Sequence, residues 1–267
     1  MKNLATSLPK PKVLNEICSI HTDTKLIKGT IPGHAEPICP KCVAEQIKNK
    51  DQLAFEHLES RKTYQRLFND SVITDPDIRE MSFDNFNVTN AKQNENFLKA
   101  KQIANRYLNK DYKGNAILVG KAGTGKTHLA YSLLKYVNEN SEQKQACLFI
   151  DFNELLSKIK SNFKTPSTMW QEGTMLDNIG EADLVVLDDL GSEASFKAMN
   201  NESSEWNQRF LFNILNRRNR TIITTNLSGA ELKEVYNPKI VSRINKGIKN
   251  NVVVFTDDMK DQRKDLY

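Results

Sequence analysis

Residues 116–127 read AILVGKAGTGKT, and this stretch decides the fold. An apolar run from Ala116 to Val119 ends at Gly120, and Gly123 and Gly125 follow at once. Beyond them, Leu129, Ala130, Leu133, Leu134 and Val137 recur at the spacing of one helix face. Strand, glycine loop and helix therefore stand in the order that a phosphate-binding loop requires. The pattern G-x-x-x-x-G-K-[ST] is filled by Gly120, Gly125, Lys126 and Thr127. Glycines let successive backbone N–H groups converge on an anion, the lysine reaches the β and γ oxygens, and the hydroxyl ligates Mg²⁺. The expected cradle comprises Gly120, Lys121, Ala122, Gly123, Thr124, Gly125, Lys126, Thr127 and His128. Its nucleotide is expected to be ATP, because no N-K-x-D segment for reading guanine lies downstream.

Four further runs read as buried strands: ACLFID (146–151), DLVVLDDL (183–190), RTIITTN (220–226) and NVVVFT (251–256). None alternates with period two, and helical patterns over 154–163, 205–218 and 230–236 fall between them, with another over 93–108 before the loop. Such runs predict an α/β fold, a parallel five-stranded sheet with helices on both faces. Ligands of such sheets bind at the carboxyl ends of the strands, where Asp188 and Asp189 emerge. Asp188 is the expected Mg²⁺ partner, and Asp189 the group that orients or deprotonates the attacking water, with Glu193 in reserve. Asn226, at the end of IITTN, can hydrogen-bond the γ-phosphate or its water. Arg243 and Arg263 are candidates to meet charge developing on the phosphoryl oxygens, in cis or from a neighbouring molecule. Arg217, Arg218 and Arg220 are expected to cap a helix end or to bind phosphate backbones.

The 267 residues, 39% of them hydrophobic, suffice for a good core, and 38 basic against 33 acidic residues leave a mild formal charge of +5. No apolar stretch approaches membrane-spanning length and MKNLATSLPKPK lacks the core of a secretory signal, so a cytoplasmic location without membrane contact is expected. Three of the four cysteines lie in the first 42 residues. Cys18 and His21 form C-x-x-H, Cys39 and Cys42 form C-x-x-C, and 17 residues separate the pairs. Two chelating pairs across such a loop suit a closed, structural zinc site, with His34 as the alternative to His21. Cys147 reads as an inert core residue. The organisation expected is a zinc-binding module over 1–50, a helical linker over 51–80 and a nucleotide domain over 81–267.

Taken together, SFDNF, GTGKTHLA, LDDLGSE, IITTN, SRI and the terminal DQRKD resemble the AAA+ ATPases of the DnaC/DnaI helicase-loader and IstB group, over roughly Ser82 to Asp265. The resemblance implies that Asn226 is the sensor-1 residue, that Arg243 is an arginine finger acting on a neighbour's ATP, and that Arg263 is the sensor-2 arginine. A full C-terminal lid is expected to be missing, and subunits are expected to assemble in an open spiral. The N-terminal zinc module is similar to that of DnaI-type loaders. The resemblance implies an ATP-dependent loader that places a DnaB-type hexameric helicase on single-stranded DNA, with slow turnover expected from Asp189. Lys158, Lys160, Phe163, Lys164 and Trp170 are the candidate contact with that strand. Two other readings compete: an IstB-like ATPase assisting a transposase on duplex DNA, and a nucleotide-sensing zinc adaptor with negligible turnover.

Overall fold

The computed structural model describes residues 11–28, 36–162, 166–195 and 201–256. The chain divides into two compact units, Met1–Arg61 and Lys62–Tyr267. In the first, β1 (Lys12–Ile17) pairs antiparallel with β2 (Lys25–Lys28), and Val13 stands opposite Ile27. Helix α1 (Pro40–Asn69) opens with proline, whose missing N–H costs nothing in a first turn. No Gly or Pro interrupts it afterwards, so residues 51–69 continue one helix. This is the helical part of the segment expected as a linker over 51–80, and from Lys62 onward it belongs to the second unit, where Leu67 is fully buried.

The second unit holds a parallel sheet in the order β4 (Cys147–Asp151), β5 (Leu184–Leu190), β6 (Thr221–Thr225), β3 (Ala116–Gly120), β7 (Val252–Phe255). Each strand lies within one or two residues of its sequence-based expectation. Their side chains enter opposite layers in turn, as the two-residue repeat of a strand demands. Val185 and Leu187 meet α4 (Phe152–Asn162), α5 (Glu172–Glu181), α7 (Asn201–Asn216) and α9 (Pro238–Ile244). Leu184 and Val186 join a second core with α2 (Ala91–Leu108) and α3 (Lys126–Asn140). Both layers being apolar, the strands carry no polar alternation, and that is why their sequences are continuous apolar runs. The sheet edge at β4 is covered by Val72, whose N–H donates to Phe149 O at 2.9 Å and whose carbonyl accepts from Asp151 N at 2.8 Å.

The remaining short helices are α6 (Ser192–Ser195) and α8 (Gly229–Val235). Helix α5 lies inside what the sequence presents as one long connection. Gly173 and Gly180 dilute its signal, yet Met175, Leu176 and Ile179 form a buried face. The expectation about a C-terminal lid falls on residues 257–267, outside the described residues.

Candidate nucleotide and metal sites

Three glycines in the loop between β3 and α3 hold positive φ: Gly120 at 150°, Gly123 at 77° and Gly125 at 96°. Two of them give the turn its shape, because residues with a Cβ rarely adopt those angles. Gly120 has a second reason: a Cβ there would lie 2.3 Å from Phe255 O on the neighbouring strand. The Thr124 hydroxyl donates to Lys121 O at 2.8 Å and Lys126 Nζ to the same carbonyl at 2.6 Å, so the lysine lies folded within its own loop. His128 contributes its backbone to this turn, while its ring leaves it. Its Nε2 lies 3.0 Å from both Ser82 O and Asn85 Oδ1, and burial lowers its pKa. The SFDNF segment is thus packed on the first turn of α3, where Phe86 meets the His128 ring edge-on at 5.1 Å.

Although β6 separates β3 from β5, Thr127 Oγ1 stands 3.1 Å from both carboxylate oxygens of Asp188. The Thr224 hydroxyl, from the intervening strand, donates to Asp188 Oδ1 at 2.7 Å and accepts from Asp189 N at 2.8 Å. Burial pushes Asp188 up to about 6, and the two threonine hydroxyls oppose that shift. A carboxylate and a hydroxyl in contact at the loop fit a small divalent cation with oxygen ligands. The sequence reading missed Thr224, one of three threonines in β6, and nothing local separates it from Thr221 and Thr225.

Asp189 follows with φ at 55°, a left-handed backbone unusual for a residue with a side chain. This turn places its Oδ1 3.1 Å from Asn226 Nδ2, so the two candidates for handling the attacking water meet at adjacent strand ends. Glu193, the reserve base, is occupied otherwise. Its Oε2 accepts from Gly191 N at 2.8 Å, its Oε1 accepts from the Tyr236 hydroxyl, and burial raises its pKa.

Arg243 is not brought to this chain's own loop. It sits on α9, its Nε donating to Asn216 Oδ1 at 3.1 Å, and its carbonyl accepts from Asn115 Nδ2 at 2.8 Å. Asn115 precedes β3, and the phosphate loop follows it, so a five-residue strand of roughly 16 Å lies between them. Arg263, Phe163 and Lys164 fall outside the described residues. Lys158 pairs with Glu154 at 2.9 Å and lies 5.1 Å from the Trp170 ring centroid, and Lys160 lies 5.3 Å from that of Trp206. Arg218 and Arg220 prove to be caps: Arg218 donates to Ile179 O in the last turn of α5 and to Ala182 O at 2.8 Å just past it, and Arg220 to Tyr107 O at 2.7 Å at the end of α2. Arg217 pairs with Asp177 at 2.7 Å.

In the first unit, Cys18, His21, Cys39 and Cys42 converge, with ligand atoms all within 4.8 Å of one another. Cys18 Sγ to Cys42 Sγ is 3.6 Å, and His21 Nδ1 lies 3.3 Å, 3.7 Å and 4.0 Å from the sulfurs of Cys42, Cys39 and Cys18. A tetrahedral ion with Zn–S and Zn–N bonds of ordinary length has ligand–ligand edges of about 3.6 to 3.8 Å, and the set fits it. His21 Nε2 points away, 3.0 Å from Glu45 Oε1, the carboxylate contact that orients a metal-binding imidazole. Backbone N–H groups of His21 and Ile20 hold the Cys18 thiol down at about 6, whereas desolvation and the neighbouring thiols push Cys42 up to about 12. The Cys18 and Cys42 sulfurs, 3.6 Å apart, disfavour each other's ionisation, and a cation between them would relieve that. His34, the alternative ligand, lies outside the described residues.

A phosphate loop beside an acidic strand, with a third strand inserted between them, defines the class: an AAA+ ATPase fold. The family model of the bacterial DnaA ATPase domain matches residues 78–251, and the chain belongs to that family. Among solved structures, a DnaC helicase loader is similar with a TM-score of 0.56 at 24% identity, covering 68% of this chain and 100% of that one. DnaI is similar with a TM-score of 0.53 at 19% identity, over 70% and 96% of the two chains. A replication initiator DnaA bound to AMPPCP and single-stranded DNA follows with a TM-score of 0.52 at 18% identity, over 70% of this chain and 53% of that one. At these identities the likeness is one of fold. No curated protein sequence matches significantly. No helix among the described residues is long and apolar enough to cross a membrane.

Proposed function

We propose that this protein is an ATP-driven loader that places a DnaB-type hexameric helicase on single-stranded DNA during replication initiation. The observation that carries the reading is the pairing, on one chain, of a DnaA-type ATPase domain with a four-ligand Cys/His module. The fold likeness to a DnaC helicase loader along that structure's whole length supports it.

In this reading residues 120–128 cradle the triphosphate and Lys126 neutralises its β and γ oxygens. Thr127 and Asp188 hold Mg²⁺, which when bound supplies charge neutralisation along the phosphates. Asp189 and Asn226, already in contact, orient the attacking water, and the short aspartate reach makes turnover slow. Arg243 serves a second copy, because its helix keeps it away from its own loop; the active form is then an oligomer, an open spiral. Arg263 acts as the sensor-2 arginine.

The ion held by Cys18, His21, Cys39 and Cys42 is zinc, and it is structural, since four protein ligands leave no open position. The module over residues 1–50 grips the helicase, and the domain over 81–267 hydrolyses ATP and engages DNA through the α4 basic side chains and Trp170.

The test is light scattering of the purified chain mixed with the replicative helicase of its own cell, with and without ATP and single-stranded DNA. A complex of defined mass that is lost on removal of residues 1–61 supports the loader. Duplex DNA binding with ATP and no helicase complex under any condition would replace it with the transposition ATPase.

A further inference from the structure

The hydroxyl of Tyr236 and the carboxylate of Glu193 form a buried pair that none of the roles above uses; the two residues are 5% and 9% exposed. We propose that Tyr236 is a positioning residue, tying the turn that carries Asp189 to the helix that carries Arg243, so that the nucleotide site of one copy sets the aim of the arginine it offers to the next. This rests on the trans-acting reading of Arg243.

Each link of the connection is a short hydrogen bond. At the nucleotide end, the Ser192 hydroxyl donates to Asp189 O at 2.8 Å, and Gly191 N donates to Glu193 Oε2 at 2.8 Å. Gly191 is pressed against the segment that leaves β6 through Asn226: a Cβ there would lie 2.5 Å from Leu227 Cδ1. The turn therefore has little freedom to move without Glu193 moving too. Glu193 is gripped at its other oxygen by Tyr236, the residue that closes α8.

Tyr236 also stands next to Asn237, the residue just before α9. Asn237 caps that helix by accepting from Lys239 N at 3.0 Å, and its own N–H donates to Gln208 Oε1 at 3.0 Å on α7. Helix α9 has seven residues, about 10 Å of rise. Its first turn is thus fixed near the carboxyl end of β5, and Arg243 in its last turn lies beside Asn115 at the amino end of β3. A displacement of the Asp189 turn is delivered through Glu193 and Tyr236 to the base of α9 and reappears at Arg243. A tyrosine kept only to fill the core would need its ring and no acceptor of this kind; here the hydroxyl meets a charged group that burial penalises.

The test uses the full chain and measures ATP turnover across protein concentrations that span self-association, together with the affinity for a fluorescent ATP analogue. Tyr236→Phe keeps the ring and removes the link. It is expected to lower kcat about tenfold while KM and analogue affinity stay within about twofold, the signature of a group acting after binding. In an Arg243→Ala background the same change is expected to alter kcat less than about twofold, because its only route of action is gone. Glu193→Gln, which perturbs the link from the other side, should depend on the background in the same way. Equal losses in both backgrounds, or a raised KM with kcat intact, would overturn the coupling and leave the loader standing. Full turnover in Arg243→Ala alone would remove the trans arginine, and the coupling with it.

Discussion

The two ends of helix α1 differ in what surrounds them, and the difference extends to the units they belong to. From residue 44 to 62 every side chain of the helix is exposed, Leu58 at 57%, whereas Leu67, a little over two turns later, is at 0%. Among the described residues before Lys62, Cys18 and Cys39 alone are buried. Val13, Ile17 and Ile20 of the same unit stay 56–75% exposed. The second unit buries its apolar side chains in two layers against a sheet. If the proposed zinc holds the first unit while packing holds the second, the two should fail under different treatments.

The largest effect to look for is metal removal. Structural zinc in small modules binds with about 10–16 kcal/mol, so a strong chelator or Cys39→Ser should unfold residues 11–61 outright. Amide-resolved NMR is expected to lose the dispersed β1 and β2 signals while those of the sheet unit persist. If β1 and β2 signals survived chelation, packing would have to hold the first unit after all.

Truncation along α1 sharpens the same contrast. Leu67→Ala should destabilise the sheet unit by about 2–5 kcal/mol, read from its urea midpoint, because the cavity forms in a packed layer.

The buried Asp188 gives a pH-dependent effect inside the packed unit. Its folded pKa of about 6 lies above the ordinary value near 3.9, so folding favours its protonated form. The stability it contributes is present below the unfolded pKa and is lost as pH rises through about 6, a cost of roughly 2–3 kcal/mol at pH 7. Asp188→Asn should therefore raise the nucleotide-free melting temperature at pH 7 and do little at pH 4, while abolishing the further rise that Mg²⁺ and ATP give the wild type. A variant less stable than wild type at pH 7 would refute this. The smallest expected effect is at Leu58, where alanine should change stability by less than about 0.5 kcal/mol.

Much of the packed unit could be read in the chain. Strands covered on both faces leave apolar runs, and AILVG and CLFI stand out for that reason, while TIITT is legible as a β-branched run. The phosphate loop was legible because its constraint is local, a matter of spacing and glycine. What escaped depends on contacts between distant residues: α5 is buried by three residues between two glycines, and Thr224 and Tyr236 matter through partners 36 and 43 positions away. A capping role was legible for Arg218 and Arg220, but not which helices they close, since α5 and α2 lie far back in sequence. In the first unit the convergence of Cys18, His21, Cys39 and Cys42 was legible from spacing, but the hairpin was not, since KVLNEI and KLIK are short and mostly exposed.

The most direct test follows ATP binding and helicase capture in the same samples, before and after zinc is chelated and then restored. The account predicts that chelation abolishes capture, that zinc restores it, and that affinity for Mg²⁺–ATP stays within about twofold throughout. Capture that survives the loss of zinc, or nucleotide affinity that falls with it, would contradict the division of the chain into a metal-held grip and a packed ATPase.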